Sequence, residues 1–435
     1  MNSSDHRNKR QICLYFQVHQ PRRLTHFRFF DIDTTTCYFN DQMNYSVLQK
    51  VATHCYLPAN QLILRLIRAF PDIKVTFSLS GLVLEQLELY APEVTDSFRM
   101  LAETGSVEFL SETYYHSLSF LAGRHEFETQ VAQHRDIIER LLGVRPKVFR
   151  NTELIYADNL GRILEDMGFK GALLDGAEAT IGSRNPNQLY AGYGAPNLKL
   201  LLRNYRLSDD IAFRYGNTKW GEWPLTAAKY VNWLEKLPAS DKVVTIGMDY
   251  ETFGEHHPAR TGIFRFLEEL LRRLQESKKL SMATPSEIFA RMKPVTYLPV
   301  PHYSSWADNE RDLSAWLGND IQKDAFESLL GLQTLVYEIK SPELLHQWRL
   351  LQTSDHFYYM STKRYSDGMV HAHFSPYASP YEAFMNFMNV ITDLRLKLER
   401  YPKPASKGEE PARRPVKSGK SIRRKHQAAR SQATV

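Results

Sequence analysis

The sequence has few cysteines and no long uninterrupted apolar run. Its three cysteines, Cys13, Cys37 and Cys55, are an odd number without a regular spacing, which argues against the disulfide framework of a small secreted protein. No stretch approaches the length of a membrane span, and the polar N-terminal residues MNSSDHRNKR lack the apolar run of a signal peptide. We therefore expect a soluble, cytoplasmic protein.

Several common catalytic motifs are also missing. No GxxxxGKS, GxxxxGKT or GxGxxG follows a strand-like run, so a phosphate-binding loop is not expected. No GxSxG is present to form a nucleophile elbow. Cys-x-x-Cys and HExxH are absent, and His256 and His257 are adjacent and cannot easily face one ion together. We expect neither a metal nor a cofactor.

Basic residues are concentrated at the C-terminal end of the chain. From residue 402 onward there are ten Lys or Arg, two Glu and almost no large apolar residue. This tail carries a net charge of +8, so the remaining residues carry about −2 of the overall +6. A segment of this composition is expected to be disordered, with nucleic-acid contacts that are at most non-specific. The body of the protein is close to neutral, and its composition, 43% hydrophobic, is ordinarily globular.

The first 290 residues alternate between strand-like and amphipathic helix-like runs, which is typical of a parallel sheet with helical crossovers. Seven strand-like runs are predicted, at residues 11–19, 73–81, 106–114, 146–154, 169–175, 198–204 and 242–249. Only helix-like patterns follow, between residues 312 and 400. We predict an α/β barrel or barrel-like sheet over residues 1–295, a helical bundle over 296–401, and the disordered tail over 402–435.

Polar and acidic residues recur where the predicted strands end. They are His19 after the first run, Glu108 and Glu112 in the third, Glu153 in the fourth, and Asp249 and Glu251 at the end of the seventh. Catalytic groups of parallel βα barrels lie at the carboxyl ends of the strands. Four polar endings among seven strands are more than packing alone requires, so we predict an active site there.

The spacing of Asp249 and Glu251 needs an explanation, because residues two apart on a strand share a face and like charges repel. Two chemistries use several acids around one cavity. Glycoside hydrolysis needs two carboxyl groups with separated pKa values. A divalent-metal hydrolase, such as a deacetylase, needs His and Asp ligands, for which His19 and His116 are the nearest candidates. The histidine spacing is poor for a metal and favours the first chemistry.

Five segments together resemble the motifs of glycoside hydrolase family 57. They are VHQP (18–21), GSVEFL (105–110), RNTELIY (150–156), GMDYETFGEH (247–256) and LLQTSDHFYYM (350–360). The run WADNERDLSAWLGN (306–319) is similar to the α-amylase-type branch of that family. Each motif is short, but the five occur in the order and at the spacing of the family, which makes the resemblance specific.

The resemblance implies a seven-stranded (β/α)7 barrel followed by a helical bundle that completes the active site. It also implies retaining cleavage of α-glucosidic bonds. Glu153 would be the nucleophile that forms a covalent glycosyl-enzyme, and Asp249 would be the general acid/base. The two carboxyl groups are then expected to face one another across about 5 to 6 Å.

Further residues would bind the sugar. His19, Glu108 and Asp355 match family positions that line the cleavage point. His116 would hydrogen-bond a sugar hydroxyl, although a structural role for this histidine is an equal alternative. Glu251 would hold a sugar hydroxyl or a neighbouring His or Arg and would raise the pKa of the acid/base through its negative charge.

The implied substrate is an α-1,4-glucan or a maltooligosaccharide, and the implied activity is that of an α-amylase. A 4-α-glucanotransferase or a glucan branching enzyme is the alternative within the family, and a non-catalytic glucan-binding protein is the alternative outside it. Three departures from the motifs concern sugar contacts: Gln17 replaces the first His of HxHQP, Phe149-Arg150 stands where a Trp is common, and HFYYM replaces a Trp pair. They leave chain length and linkage open.

Overall fold

One mixed sheet lies at the centre of the protein. The computed structural model describes residues 9–34 and 37–401. Among these residues there are ten strands: Arg10–Val18 (β1), Val75–Leu79 (β2), Val107–Leu110 (β3), Val148–Arg150 (β4), Gly171–Asp175 (β5), Leu189–Gly192 (β6), Ala195–Arg203 (β7), Val243–Asp249 (β8), Leu280–Met282 (β9) and Tyr297–Leu298 (β10). Each of the seven predicted runs overlaps a strand. The other three, β6, β9 and β10, have four residues or fewer and were not predicted.

Seven of the strands are joined to one another by parallel pairing. β1 pairs with β2 and β8, β2 with β3, β4 with β5, β5 with β7, and β7 with β8. Between β3 and β4 a parallel bridge joins Ser111 and Phe149, with hydrogen bonds of 2.9 and 2.8 Å. β9 adds to β1 in parallel, β6 is antiparallel to β7, and β10 pairs with β6. The carboxyl ends of the parallel strands therefore meet at one edge of the sheet.

Amphipathic helices cover the sheet and connect its strands. They are Asp41–Val51 (α1), Leu57–Ala69 (α2), Gly81–Tyr90 (α3), Pro92–Glu103 (α4), Arg124–Leu142 (α5), Asp158–Asp166 (α6), Glu178–Ile181 (α7), Tyr205–Ala212 (α8), Ala227–Lys236 (α9), Ile263–Glu276 (α10) and Pro285–Arg291 (α11). In α10 the buried residues Phe266, Leu267, Leu270 and Leu274 form one stripe, as expected for a helix that packs on a sheet. α5 ends at Gly143, whose φ of 71° is the left-handed conformation that glycine accommodates.

Helices alone follow the sheet in the described part of the chain. They are Ser314–Leu317 (α12), Asp320–Leu330 (α13), Gln333–Ile339 (α14), Pro342–Leu350 (α15), Ser354–Tyr358 (α16), Tyr365–Phe374 (α17) and Pro380–Arg400 (α18). Their apolar core, which includes Trp316 and Phe357, also contains Leu82, Tyr115 and Ile155. These last three residues come shortly after β2, β3 and β4, so the helical segment packs over the carboxyl edge of the sheet.

Two sequence predictions concern other features of the chain. The predicted basic tail, residues 402–435, lies outside the described residues. Among residues 9–34 and 37–401, no helix combines the length and the apolarity that crossing a bilayer requires.

Candidate active site

A row of polar side chains continues one apolar face of the sheet toward the carboxyl edge. The apolar part of this face is a buried cluster that includes Tyr15, Leu110, Val148, Leu173 and Leu201. Because residues two apart on a strand share a face, Gln17, Glu112, Arg150 and Arg203 extend this face beyond the cluster. Asp249 is the register partner of Gln17 on the adjacent strand. Toward the carboxyl edge, the apolar layer of this face is thus followed by a layer of polar and ionisable side chains.

Glu153 is lifted out of its strand by a tight turn. β4 ends at Arg150, and a 3-10 turn, Thr152–Leu154, follows it. Glu153 has φ 54° and ψ 28°, the left-handed conformation, which non-glycine residues seldom adopt. Two donors hold its carboxylate: Nε2 of His116 lies 2.8 Å from Oε1, and Nε1 of Trp306 lies 2.6 Å from Oε2. The turn and these two bonds fix both the position and the orientation of the carboxylate.

Glu153 is stabilised in its ionised form. Burial alone would raise its pKa, but the hydrogen bond and charge of His116, the charge of Arg150 and the hydrogen bond from Trp306 outweigh burial and lower the pKa. The side chain is still 23% exposed. Glu153 is therefore an accessible carboxylate at neutral pH.

His116 is placed between two carboxylates. Its Nδ1 lies 2.9 Å from Oε2 of Glu112, its Nε2 lies 2.8 Å from Oε1 of Glu153, and its side chain is 1% exposed. Burial would lower the pKa of His116, but the two carboxylates raise it to about 9. Both ring nitrogens are thus committed to protein groups, which leaves neither of them for the sugar hydroxyl that the sequence analysis had expected.

Asp249, the last residue of β8, has the opposite electrostatic environment to Glu153. Burial, followed by the negative charge of Glu153, raises the pKa of Asp249 to about 6, against the lowering effect of Arg150, Arg203 and His116. No residue in the described part of the chain donates a hydrogen bond to its carboxyl group. Because the charge of Glu153 acts on Asp249, the two carboxyl groups interact electrostatically. Their pKa values are shifted in opposite directions, which favours an ionised Glu153 and a protonated Asp249 in weakly acidic solution.

Glu251 does not have the role that the sequence predicted. The strand ends at Asp249 and a 3-10 turn, Tyr250–Thr252, begins, so the two-residue strand period no longer applies. Glu251 is 6% exposed and is hydrogen-bonded to the hydroxyl of Tyr56 and to Nε2 of Gln20. Burial and the charge of Asp249 raise the pKa of Glu251 to about 8. Among the charges that raise the pKa of Asp249, that of Glu153 is the largest.

His19 and Asp355 bond to each other directly. Nε2 of His19 lies 3.0 Å from Oδ2 of Asp355 in α16, and Nδ1 lies 2.7 Å from Oγ of Ser80. The rings of His19 and His116 stack with centroids 3.9 Å apart. Burial and the charge of His116 lower the pKa of His19, and the histidines lower the pKa of Asp355 against the effect of burial. The helical segment thereby contributes an ionised carboxylate that bonds to His19.

Glu108 lies at the other end of the sheet. Its carboxylate accepts hydrogen bonds from the N–H of Ser286, at 2.9 Å, and from Oγ of Ser286, at 2.5 Å, at the start of α11. Glu112 is four positions further along the chain, which corresponds to about 13 Å in an extended strand. The expectation that Glu108 lines the cleavage point is corrected here: the acidic residue of this strand that reaches the site is Glu112.

Two residues of the site were underestimated from the sequence. Glu112 precedes His116 by four residues, and this Glu-x-x-x-His spacing was a signal that the motif comparison left aside. Trp306 begins the run WADNERDLSAWLGN, which by itself predicts no contact with an acidic residue. The guanidinium groups of Arg150 and Arg203 lie 4.8 and 5.3 Å from the centre of its ring, and its N–H donates to Glu153.

The same residues do not form a metal centre. Within the described ranges, no group of three or more His, Cys, Asp or Glu side chains is arranged to hold a metal ion. The chemistry of this edge of the sheet is that of carboxyl groups supported by imidazole and guanidinium.

An α/β sheet that carries two acidic groups with separated pKa values at its carboxyl edge has the features of a glycoside hydrolase. Residues 13–301 match the family model of glycosyl hydrolase family 57. The chain belongs to this family, as its five motifs had indicated.

Several named proteins are similar to the chain in sequence or in fold. The chain is 41% identical over 396 residues to a protein of Methanocaldococcus jannaschii named "Putative alpha-amylase", a match that covers 88% of this chain and 83% of that one. Among solved structures, a family 57 branching enzyme of Thermococcus kodakaraensis aligns with a TM-score of 0.66 at 14% identity, over 90% of this chain and 91% of that one. The 4-α-glucanotransferase of Thermococcus litoralis aligns with a TM-score of 0.62 at 18% identity, over 80% of this chain and 56% of that one. At these identities the two structures support the fold.

Proposed function

We propose that the protein is a retaining glycoside hydrolase of α-amylase type that cleaves α-1,4-glucans. The observation that carries the proposal is the contrast between Glu153, an accessible carboxylate with a lowered pKa, and Asp249, whose pKa is raised to about 6. A nucleophile must be ionised and a proton donor must be protonated, and these two groups meet those requirements in the same weakly acidic solution. The family and the M. jannaschii relative support the α-glucan as substrate.

The proposed reaction has two halves. In the first, a carboxylate oxygen of Glu153 bonds to the anomeric carbon, the bond from that carbon to the leaving oxygen breaks, and Asp249 gives its proton to the leaving oxygen. In the second, Asp249 takes a proton from water, the water oxygen bonds to the anomeric carbon, and the ester to Glu153 breaks. Asp355, whose side chain is 23% exposed and is held by His19, would contact sugar hydroxyls at the cleavage point.

We also propose a closed barrel with an attached helical domain. The parallel pairings run from β1 through β2, β3, β4, β5, β7 and β8 back to β1, with the bridge at Ser111 between β3 and β4, and this ring supports a seven-stranded (β/α)7 barrel. The helical domain, residues 296–401, would complete the active site through Asp355. The substrate would be met in the cytoplasm, without a membrane partner.

Product analysis tests the activity. The protein is incubated with amylose, glycogen, pullulan and maltooligosaccharides, and the products are sized. Short oligosaccharides alone are expected for a hydrolase. Products longer than the substrate, or new 1,6 branches, would instead assign it to the transferases, which is the activity named for the T. litoralis and T. kodakaraensis structures.

The catalytic pair is tested by Glu153→Gln. This variant keeps the side-chain shape but removes the nucleophile, so we expect turnover to fall by at least about a thousandfold while binding of amylose persists. Binding is followed by affinity electrophoresis. If the unmodified protein binds amylose but releases no product from any of the glucans, it is a glucan-binding protein and the proposed activity is wrong.

A further inference from the structure

Glu112 is a buried acidic residue that the proposed cleavage does not use. Its side chain is fully buried, and its carboxylate accepts hydrogen bonds from Nδ1 of His116 at 2.9 Å, Oγ of Ser78 at 3.0 Å and Nε2 of Gln17 at 3.3 Å. Burial would raise the pKa of Glu112, but His116 first, and then Arg150 and other charges, lower it to about 2. A buried carboxylate with this many donors is ionised throughout the range in which an enzyme works.

We propose that Glu112 and His116 form a positioning pair for Glu153. Glu112 keeps the imidazole of His116 protonated and in one orientation, so that its second N–H always points at the carboxylate of Glu153. This inference rests on the proposed function, because it takes Glu153 as the nucleophile. Glu112 itself touches no reacting atom and acts only through His116.

The geometry of His116 supports this arrangement. Residues 114–116 follow β3 in a turn, and His116 has φ 48°, so the chain folds back and its ring returns over Glu112. The N–H of Ser354 binds the carbonyl oxygen of His116 at 3.0 Å and anchors its backbone to the helical segment. One imidazole therefore connects an acid inside the sheet to the acid at the cleavage point.

The charges that face His116 decide its protonation. Glu112 and Glu153 bond to it directly and favour the cation, whereas burial opposes it, as does the stacked ring of His19. Asp249 and Asp355, whose pKa values His116 lowers, add further negative charge. Without the carboxylate of Glu112, a single acid would have to offset the burial of the ring, and we expect His116 to lose its proton near neutral pH.

The pair has a defined effect on the reaction. Before the reaction the imidazolium of His116 lies between the carboxylates of Glu112 and Glu153. When Glu153 forms its ester it loses its charge, so the imidazolium and the carboxylate of Glu112 remain as a neutral pair. No proton leaves His116. When the ester breaks, the N–H of His116 is already in place for the returning carboxylate of Glu153. The pair therefore makes Glu153 a better leaving group and lowers the pKa of the Glu153 carboxyl group.

The variant Glu112→Gln separates charge from geometry. The new amide N–H can donate to Nδ1 of a neutral imidazole, which leaves the Nε2–H directed at Glu153. We expect the acid limb of kcat/KM on amylose to move up by about one pH unit, and kcat in that range to fall about tenfold with KM changed less than about twofold. Glu112→Asp, which keeps the charge, should restore part of the loss.

The matched control is Glu126→Gln. Glu126 is equally buried but is bonded to Arg349 between α5 and α15, away from Glu153. This variant should lower the melting temperature without moving the acid limb. If Glu112→Gln lowers stability in the same way and also leaves the acid limb in place, Glu112 is merely structural and the proposed pair is wrong.

A measurement on the unmodified protein decides the matter even if Glu112→Gln does not fold. The ring of His116, assigned in NMR spectra by comparison with His116→Asn, should stay protonated until about pH 9. Titration near pH 6.5, the value of an ordinary histidine, would overturn the pair. This titration needs no substrate, so a protein that cleaves no glucan would refute the proposed function and still give an independent answer on Glu112 and His116.

Discussion

At the scale of single residues, the site depends on two identical functional groups in different surroundings. Glu153 receives hydrogen bonds from His116 and Trp306 that favour its charge. Asp249 receives none within the described ranges, and burial, followed by the field of Glu153, disfavours its charge. The separation of the two pKa values therefore follows from burial and from the donors and charges around each carboxyl group, and not from the residue types.

This separation gives a testable pH dependence. The lowered pKa of Glu153 keeps the nucleophile ionised in weak acid, whereas Asp249 holds its proton only below about pH 6. We therefore expect kcat/KM to be highest on the acid side of neutrality and to fall about tenfold per pH unit well above pH 6. A pH series of initial rates on maltooligosaccharides measures this. If kcat/KM stays constant from pH 6 to pH 8, the assignment of Asp249 as the acid is wrong.

The sequence predicted which residues stand near the strand ends but not how the chain turns beyond them. Asp249 ends β8 and Glu153 lies in the turn after β4, and both belong to predicted strand-like runs. Glu251 was misjudged because a 3-10 turn replaces the strand after Asp249 and carries its side chain to Tyr56. Glu108 was misjudged because position along a strand decides which end of the sheet a residue reaches, and the strand boundary was not fixed closely enough by the sequence.

At the scale of elements, one buried ion pair joins the sheet region to the helical segment. Glu126 in α5 and Arg349 in α15 form two hydrogen bonds of 2.9 Å, and the two side chains are 0% and 6% exposed. Gln130 donates to the same carboxylate at 2.8 Å. Such a pair holds the two helices in one register, because a buried charge without its partner is costly.

Removal of one partner should be much worse than removal of both. We expect Glu126→Gln to lower the free energy of unfolding by about 3 kcal/mol, since Arg349 is left without its counter-charge, and Glu126→Leu combined with Arg349→Met to cost less than that. Urea denaturation followed by circular dichroism gives both values. The exposed pair of Glu88 and Arg140 is the control, and Glu88→Gln should cost less than about 1 kcal/mol. Equal losses for the single and the double variant would contradict the role of the pair.

At this scale the sequence predicted seven strands because each overlaps a strand-like run of seven to nine residues. It did not predict β6, β9 or β10, whose two to four residues carry no periodicity of their own. β6 is held by the strand that follows it, β7, whereas β9 and β10 depend on partners that are distant in the chain.

At the scale of the whole molecule, the helical segment covers the edge where the strands end. The shared apolar core of Trp316, Phe357, Leu82 and Ile155 fixes this placement, and it brings Asp355 to His19. Most of the net positive charge, in contrast, belongs to residues 402–435, since the remainder of the chain is close to neutral. We therefore expect affinity for polyanions to belong to residues 402–435 and the proposed activity on glucans to belong to the rest of the chain.

Deletion of residues 402–435 tests this division. The shortened protein loses a net charge of +8, so we expect it to elute from heparin at clearly lower salt than the full chain. Its kcat/KM on maltooligosaccharides should stay within about twofold, because none of the residues of the candidate site is removed. Unchanged heparin elution, or a large loss of activity, would show that the charge or the active site is distributed differently.

The sequence by itself determined which residue types stand at the ends of the strands, the order of strands and helices, and the family, because these are properties of local pattern and motif. Only the tertiary structure decided that Glu112 and not Glu108 reaches the site, that His116 lies between two acids, and that burial raises the pKa of Glu251. Those outcomes depend on burial and on partners up to hundreds of residues away, and the free energy of an ionisable group is set by its neighbours in space.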